Sequence, residues 1–256
     1  MLGMNLAYFD NLLAAYSRGI VSDHVHLGLF SNKVEGQTLS LAQELMSLHH
    51  IDLLDLKAGD SIVDVGCGLG GTLRWIDAHF EGVQLTGINI DQRQIDAAKG
   101  GPWRSIVDFQ LSDAADFSES RINWADRIVS IEAMFHFQNL MGFFSAAARA
   151  MRPSGRMVAS TILFKDDASP QSVATVCAGF SPWPRPNLKL AEICEQAALA
   201  GLKVVQVEDL APRCLPSFEW MGPACPDEVT DDPVIELRRI FEAGKASYPV
   251  LVLLPA

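Results

Sequence analysis

A carboxylate followed by a glycine-rich stretch is the feature of this sequence with the clearest chemical use. The stretch reads Val63-Asp64-Val65-Gly66-Cys67-Gly68-Leu69-Gly70-Gly71. Glycine has no Cβ and tolerates positive φ, so this spacing lets a strand turn tightly into a helix while the backbone touches a ligand. Gly66, Gly68 and Gly71 also satisfy G-x-G-x-x-G, the pattern of dinucleotide-binding loops, although that pattern alone is weak evidence. The acid at Asp64 favours a ligand that carries positive charge over one that brings a pyrophosphate.

Two ionisable side chains follow the apolar stretch 127–131, which is typical of a strand. Glu132 stands at its end and His136 four residues later. Ligands bind outside the carboxyl ends of parallel strands, so both side chains are expected at the site. An ordinary imidazole, with a pKa of ~6.5, can take a proton from a hydroxyl or an amine at neutral pH. We therefore predict that His136 is a general base or orients the substrate. Glu132 is a second candidate catalytic residue, with binding substrate, holding a lid or acting as a structural acid as its alternative roles.

No metal site is expected. His24 and His26 have no carboxylate or thiol nearby at the spacing of a metal-ligand set. The five cysteines are odd in number and form no CxxC pair: Cys67, Cys177, Cys194, Cys214 and Cys225. Reduced thiols explain them better than disulfides or zinc ligands.

Short apolar strands alternate with helical stretches from about residue 60. Strands are predicted at 61–65, 83–90, 107–111, 127–131 and 157–164, and helices at 91–99 and 140–151. Such alternation predicts a parallel, doubly wound sheet. Leu41, Leu45 and Leu48, spaced i, i+4 and i+7, indicate a helix before the first strand.

The regular alternation of strands and helices ends after residue 164. Pro182, Pro184 and Pro186 exclude a helix or a central strand around them, so 165–186 is predicted to be an inserted cap or loop. Regular structure resumes with a helix at 187–200 and a strand at 202–207. A second proline-rich loop (211–233), a helix (234–244) and a last strand (250–254) follow. The last two strands favour an antiparallel end to the sheet.

Composition narrows the classes of function. The chain has 256 residues, 49% of them hydrophobic, and a net charge of −11. Proteins that bind nucleic acids or anionic membranes usually carry a basic surface, so neither is expected as a partner. No apolar run approaches the ~20 residues of a membrane span, and the first ten residues do not resemble a signal peptide. A cytoplasmic protein is the expectation.

Five blocks, in order, resemble the class I S-adenosylmethionine-dependent methyltransferases, in particular the branch with sarcosine/dimethylglycine, sugar, phenol and prenyl-diphosphate enzymes. The blocks lie at 56–71, 87–94, 112–114, 126–137 and 148–156, and the resemblance extends over about 24–254. It implies a Rossmann-like, doubly wound α/β sheet of seven strands, mostly parallel with an antiparallel last strand. An N-terminal helical lid and an inserted cap complete this expected fold. Ser154 departs from the family's glycine in the last block.

The resemblance also implies which residues bind the cofactor, S-adenosylmethionine. Asn89, where Asp is commoner, is expected at the ribose, and Asp113 at the adenine amino group. The complete expected set is Asp64, Gly66, Cys67, Gly68, Asn89, Ile90, Gln94, Asp113, Ala114 and Ile131. Residues 21–30 resemble the family's lid segment. The substrate and lid residues are predicted to be His26, Tyr16, Phe135 and Trp183.

The resemblance implies methyl transfer to a small molecule, and we expect O-methylation of a hydroxylated natural product. N- or C-methylation stays open, as does a cyclase-like enzyme that binds the cofactor without transferring methyl. The alternative that the chain is an NAD-dependent dehydrogenase requires Asp64 and the later blocks to match the methyltransferases by chance. We expect one domain over 1–256, with a lid at 1–55, a cofactor-binding core at 56–164, and the cap and the rest of the sheet at 165–256. The sequence does not specify an oligomeric state.

Overall fold

The computed structural model describes residues 7–31, 36–119, 121–221 and 232–256. A seven-stranded sheet forms its centre, with the order β3-β2-β1-β4-β5-β9-β7. Its strands are β1 (Ser61–Val65), β2 (Gln84–Asn89), β3 (Val107–Leu111), β4 (Ala125–Ser130), β5 (Met151–Ser160), β7 (Leu202–Asp209) and β9 (Pro249–Pro255). Strands β1 to β5 pair in parallel, and β9 runs antiparallel to both β5 and β7. The predicted sheet, with its antiparallel last strand, is confirmed.

Helices cover both faces of the sheet. They are α1 (Ala7–Ser17), α2 (Leu39–Leu54), α3 (Gly71–His79), α4 (Gln92–Lys99), α5 (Leu140–Ala150), α6 (Pro170–Gly179), α7 (Leu190–Leu199), α8 (Ala211–Cys214) and α9 (Pro233–Glu242). One core cluster packs α5 and α7 on the sheet, and a second packs α2, α6 and α9 on its other face. The cap region 165–186 contains α6, which begins at Pro170, whereas Pro182, Pro184 and Pro186 lie after that helix.

Strand β5 starts six residues earlier than predicted. Proline and glycine at 153 and 155 were expected to precede the strand, yet it begins at Met151 and ends at Ser160. A register shift between Ala125 and Arg127 of β4 leaves Arg152–Gly155 outside the regular ladder, where a proline needs no hydrogen-bond donor. Residues Leu163–Phe164 form a separate strand, β6, which pairs with β8 (Ala246–Ser247).

Helix α2 forms where it was predicted, but the leucine stripe is not its buried face. Leu41 is 40% exposed, whereas Met46 and His50 are fully buried. The buried face also carries Gln43 and Ser47, because these polar side chains find partners in the segment that crosses α2. The sequence pattern gave no indication of those partners.

Candidate active site

A cavity of about 130 Å³ lies at the carboxyl ends of β1 to β4. Most residues predicted to act at the site line this cavity. They are Asp64, Gly66, Cys67, Gly68, Asn89, Ile90, Gln94, Asp113, Ala114, Ile131, Glu132, Phe135, His136 and His26. Tyr16 and Trp183 do not line it.

The glycine loop between β1 and α3 needs glycine at several positions. Gly66 and Gly68 have φ of 81° and 54°, which favour glycine. A Cβ on Gly66 would lie 2.5 Å from the Cβ of Ala133, and one on Gly71 would lie 2.8 Å from the carbonyl oxygen of Asp23. The loop therefore packs closely against both the segment after β4 and the N-terminal segment.

Asp64 is a buried carboxylate near the end of β1. It is 3% exposed, and no side chain or backbone group of the described residues donates a hydrogen bond to it. Burial raises the pKa of its carboxyl to about 7. A buried charge is costly unless it is paired. The site therefore fits a ligand that brings a positive charge to Asp64.

Asn89 and Gln94 form a second part of the wall. The Nδ2 of Asn89 donates to Gln94 Oε1 at 3.2 Å, and Asn89 Oδ1 accepts from the amide of Asp91 at 3.0 Å. The Nε2 of Gln94 is buried and has no hydrogen-bond acceptor among the described residues. An unpaired donor and an unpaired carboxylate in one cavity fit a polar, cationic ligand of the kind the sequence predicted.

Asp113 follows β3, and its Oδ1 accepts from the amide of Ala115 at 2.8 Å. That bond fixes the direction of the carboxylate at the edge of the cavity. Its second oxygen can accept from a ligand.

His136 lies in a short 3-10 turn, Met134–His136, that follows β4. Its Nδ1 is 2.6 Å from the carbonyl oxygen of Pro182 in the cap. A carbonyl can only accept, so Nδ1 carries the hydrogen and Nε2 carries the lone pair. Burial lowers the pKa of His136 to about 4, although the bond to Pro182 acts in the opposite direction. The imidazole is therefore neutral at physiological pH.

Glu132 joins the sheet to the N-terminal segment. Its backbone is left-handed, with φ of 53°, and its amide donates to Ser160 Oγ at 3.1 Å. The carboxylate accepts from the amide of Leu27 at 2.9 Å and from the hydroxyl of Tyr248. Burial raises the pKa of this carboxyl to about 7. Of the roles considered for Glu132, these contacts favour holding the N-terminal segment over the cavity.

His26 uses both ring nitrogens within the protein. Nδ1 donates to the carbonyl of Leu27 at 2.9 Å, so Nε2 accepts from Ser47 Oγ at 3.1 Å. Ser47 Oγ also lies 3.0 Å from His24 Nδ1 and from Thr72 Oγ1. Burial lowers the pKa of His26 to about 3. These contacts make His26 part of the wall that links α2 to α3. Sequence reasoning missed Ser47 and Thr72 because their partners are distant along the chain.

Trp183 and Tyr16, predicted as substrate or lid residues, lie outside the wall of the main cavity. The Trp183 ring stacks on Phe135 and on Phe164, with centroids 4.0 and 5.1 Å apart. It thus supports Phe135 from behind and lines a smaller cavity of about 30 Å³. Helix α1 brings Phe9 and Leu12 to the main cavity, and Tyr16 lies a turn beyond them.

Arg74 of α3 connects three segments around the cavity, and sequence analysis did not identify it. Its guanidinium pairs with Asp23 at 2.7 Å, with side chains 17% and 25% exposed. It also donates to the carbonyls of Leu69 and Ala98 and lies over the Trp103 ring. Asp23 lines the cavity, so this ion pair fixes the N-terminal segment against the glycine loop.

Among the described residues, no group of three or more His, Cys, Asp and Glu side chains is placed to hold a metal ion. Within the same residues, no helix has the length and apolar character needed to cross a membrane.

Known proteins resemble the chain in sequence and in fold. A family model described as mycolic acid cyclopropane synthetase matches residues 28–217. The chain belongs to this family. It is also 28% identical over 225 residues to methyltransferase GfsG of Streptomyces halstedii, which covers 82% of this chain and 80% of the relative. To the O-methyltransferase cnsE of Penicillium expansum it is 25% identical over 232 residues, with 87% and 82% covered.

A geranyl diphosphate C-methyltransferase from Streptomyces coelicolor A3(2) has the same fold. The TM-score is 0.75 at 18% identity, with 97% of this chain and 98% of that chain covered. Together with the family match, the methyltransferase relatives make this chain a class I methyltransferase of small molecules that uses S-adenosylmethionine. The dehydrogenase alternative does not hold.

Proposed function

We propose that this member of the family methylates a hydroxyl group of a largely apolar small molecule. The observation that carries the proposal is the imidazole of His136, whose Nδ1–H is fixed on the Pro182 carbonyl. It stands in a wall that Phe9, Phe135 and Phe137 make mostly apolar. A neutral imidazole in an apolar wall suits a hydroxyl that must lose its proton.

The cofactor-binding half of the cavity is assigned to the residues that the sequence predicted. We propose that Asp64 pairs with the positive charge of the cofactor, since its buried carboxylate has no donor among the described residues. Asn89 and Gln94 are assigned to the ribose, and Asp113 to the adenine amino group. Gly66, Cys67 and Gly68 give the backbone its close approach, and Ile90, Ala114 and Ile131 contribute apolar contacts.

S-adenosylmethionine supplies an activated methyl group when it is bound, so the protein has to position the acceptor and exclude water. Phe9 and Leu12 of α1 cover the acceptor side of the cavity. As the acceptor oxygen gains the methyl group, its proton passes to Nε2 of His136. The resulting imidazolium keeps its Nδ1–H on the Pro182 carbonyl, which stabilises the new charge.

Glu132 is proposed to position the N-terminal segment rather than to take the proton, because its carboxylate already accepts from Leu27 and Tyr248. One observation favours a second candidate. The raised pKa of about 7 at Glu132 suits a base for the carbon-bound proton that is lost in C-methylation.

The proposal also keeps the domain arrangement expected from the sequence, with residues 1–55 as lid, 56–164 as cofactor-binding core and 165–256 as cap and remaining sheet. The lid contacts the core through Glu132 and Arg74.

Product analysis tests the reaction. The protein is incubated with S-adenosylmethionine that carries a deuterated methyl group and with a panel of neutral alcohols and phenols. Mass spectrometry detects the added methyl, and NMR locates it. We expect methyl on oxygen. A methyl on carbon or nitrogen would overturn the proposal, and a product rearranged without methyl would favour a cyclase-like reaction.

A further inference from the structure

The described residues of the cavity wall include acidic side chains but no lysine or arginine. Four carboxyl side chains line the main cavity: Asp23, Asp64, Asp113 and Glu132. Binding sites for phosphate and carboxylate groups usually contain arginine, lysine or a metal ion. This wall has a composition opposite to that of an anion site.

The carboxylates divide between the two halves of the cavity. Asp64 and Asp113 lie on the half assigned to the cofactor, and Asp23 is paired with Arg74. Glu132 remains on the acceptor half, whose wall also includes Phe9, Leu12 and Phe135. Burial raises the pKa of Glu132 to about 7, so an anionic group there would meet either a like charge or a carboxyl that takes up a proton. Among the described residues, no lysine or arginine of the wall would compensate for the hydration that the anionic group loses.

The histidines do not reverse this balance. His24, His26 and His136 line the cavity, and burial lowers their pKa values to about 4, 3 and 4. Arg74 lowers the pKa of His24 further. All three rings are therefore neutral at physiological pH.

The segments outside the described residues offer few cations in sequence. Residues 1–6 and 222–231 contain no lysine or arginine, and 222–231 adds Asp227, Glu228 and Asp231. Only Lys33 occurs in 32–35. The described residues also contain no cluster suited to a metal ion that could neutralise a diphosphate.

We infer that the acceptor is an uncharged molecule, and that the site discriminates against acceptors that carry phosphate, diphosphate or carboxylate groups. The inference rests on the proposed function for the position of the acceptor, but it concerns the charge of the acceptor and not the atom that is methylated. The structural neighbour is a geranyl diphosphate C-methyltransferase, so the fold by itself does not exclude an anionic acceptor. The wall of this chain does.

The smaller cavity agrees with this inference. It lies behind Phe135 and shares Val25, His26 and Glu132 with the main cavity. The rest of its wall is apolar: Leu27, Ile162, Phe180, Trp183, Met221 and Leu237. A second, mostly apolar space therefore adjoins the acceptor side.

Two fluorescent probes with the same ring framework test the charge preference. Phenylnaphthylamine is neutral, and anilinonaphthalene sulfonate adds one negative charge. Each is titrated into protein saturated with S-adenosylhomocysteine. We expect the neutral probe to bind at least about 100-fold more tightly, because the sulfonate would lose its hydration beside acidic side chains and find no lysine or arginine among the described residues of the wall. Comparable affinities, or no binding of the neutral probe, would overturn the inference.

A matched pair of variants tests whether the preference for the neutral probe arises in the main cavity. Leu12 lines the cavity and Leu13, its neighbour on α1, does not. Leu12→Arg should tighten binding of the sulfonate by about tenfold, and Leu13→Arg should leave it unchanged. Equal effects, or no effect of Leu12→Arg, would count against the inference. Neither probe accepts a methyl group, so these results do not depend on whether oxygen is methylated, which the NMR experiment decides separately.

Discussion

Asp64 shows how a single buried charge can set the pH dependence of ligand binding. Its pKa is about 7 without a ligand, because burial disfavours the carboxylate. A cationic group beside it favours the carboxylate, so the pKa falls when the ligand binds. Protons and ligand therefore compete for this side chain.

We predict that S-adenosylhomocysteine binds with full affinity above pH ~7 and loses up to about tenfold per pH unit below it. Asp64→Asn should weaken binding and remove this slope. Isothermal titration calorimetry between about pH 5.5 and 8.5 measures both, with Asp108→Asn on exposed β3 as control. An unchanged slope in Asp64→Asn would show that another group titrates.

A second prediction about a single residue concerns the proposed base, His136. Replacing His136 by alanine should lower kcat by roughly 10²–10⁴-fold, the usual value of general acid–base catalysis, and leave cofactor affinity nearly unchanged. Because its pKa lies near 4, the wild-type rate should show no inflection near pH 6.5 from this residue. Initial rates with saturating cofactor provide the measurement, and His79→Ala, an exposed histidine stacked on Trp75, is the control. A normal kcat and KM in His136→Ala would exclude the residue from the mechanism.

At the scale of elements, the glycine loop can be tested against a glycine of similar backbone conformation. Gly68 and Gly201 both have positive φ, of 54° and 85°. A Cβ on Gly68 would lie 3.2 Å from Val25 Cγ2, whereas one on Gly201 would meet nothing within 4 Å.

We predict that Gly68→Val abolishes binding of S-adenosylhomocysteine, and that Gly201→Val keeps it. Both should lose roughly 1–2 kcal/mol of stability, because each places a side chain in the left-handed region. Thermal unfolding with and without ligand separates the two effects. Retained affinity in a folded Gly68→Val protein would contradict the placement of the cofactor.

The ion pair between α3 and the N-terminal segment permits a double-mutant cycle. Arg74→Met and Asp23→Asn should each weaken S-adenosylhomocysteine binding, because either change releases the segment from the glycine loop. The double variant should bind about as well as Arg74→Met alone, with a coupling of about 0.5–3 kcal/mol. Calorimetry measures the four affinities. Additive losses would mean that the pair does not act as a unit.

Local sequence patterns were sufficient to predict many of the helices, strands and turns. They predicted the strands at 61–65 and 107–111 and the glycine turn. The spacing of apolar residues and the presence of glycine at a turn can both be read from neighbouring positions in the sequence. The start of β5 was missed because a bulge tolerates Pro153. The stacking of Trp183 on Phe135 had no local signal either, because it depends on tertiary packing. Arg74 had no local signal, since Asp23 is 51 residues away.

At the scale of the whole molecule, α1 places Phe9 and Leu12 on the wall of the cavity. Phe9 packs against the His136 ring, with centroids 5.7 Å apart, and Asp10 pairs with Arg93 of α4. The cap reaches the same imidazole through Pro182. Two distant segments thus meet at one catalytic candidate, an arrangement typical of a lid.

We predict that cofactor and acceptor together slow proteolysis of the first part of the lid (residues 1–35) and of the cap (residues 165–186). Arg18 follows α1 and Lys165 precedes α6, and both are exposed. Trypsin cleavage at these sites should slow when both ligands are bound, while cleavage at exposed Arg104 should not. Mass spectrometry of the fragments over time measures the three rates. Equal rates with and without ligands would count against closure.

The position of β9 in the sheet affects how the chain folds during translation. β9 lies between β5 and β7, both of which are synthesised before it. Until Pro249–Pro255 emerges, β5 and β7 each keep an open edge toward the missing strand. Open edges invite pairing with other chains. The nascent protein is therefore most prone to aggregation late in translation, when its ligand-binding half is already complete.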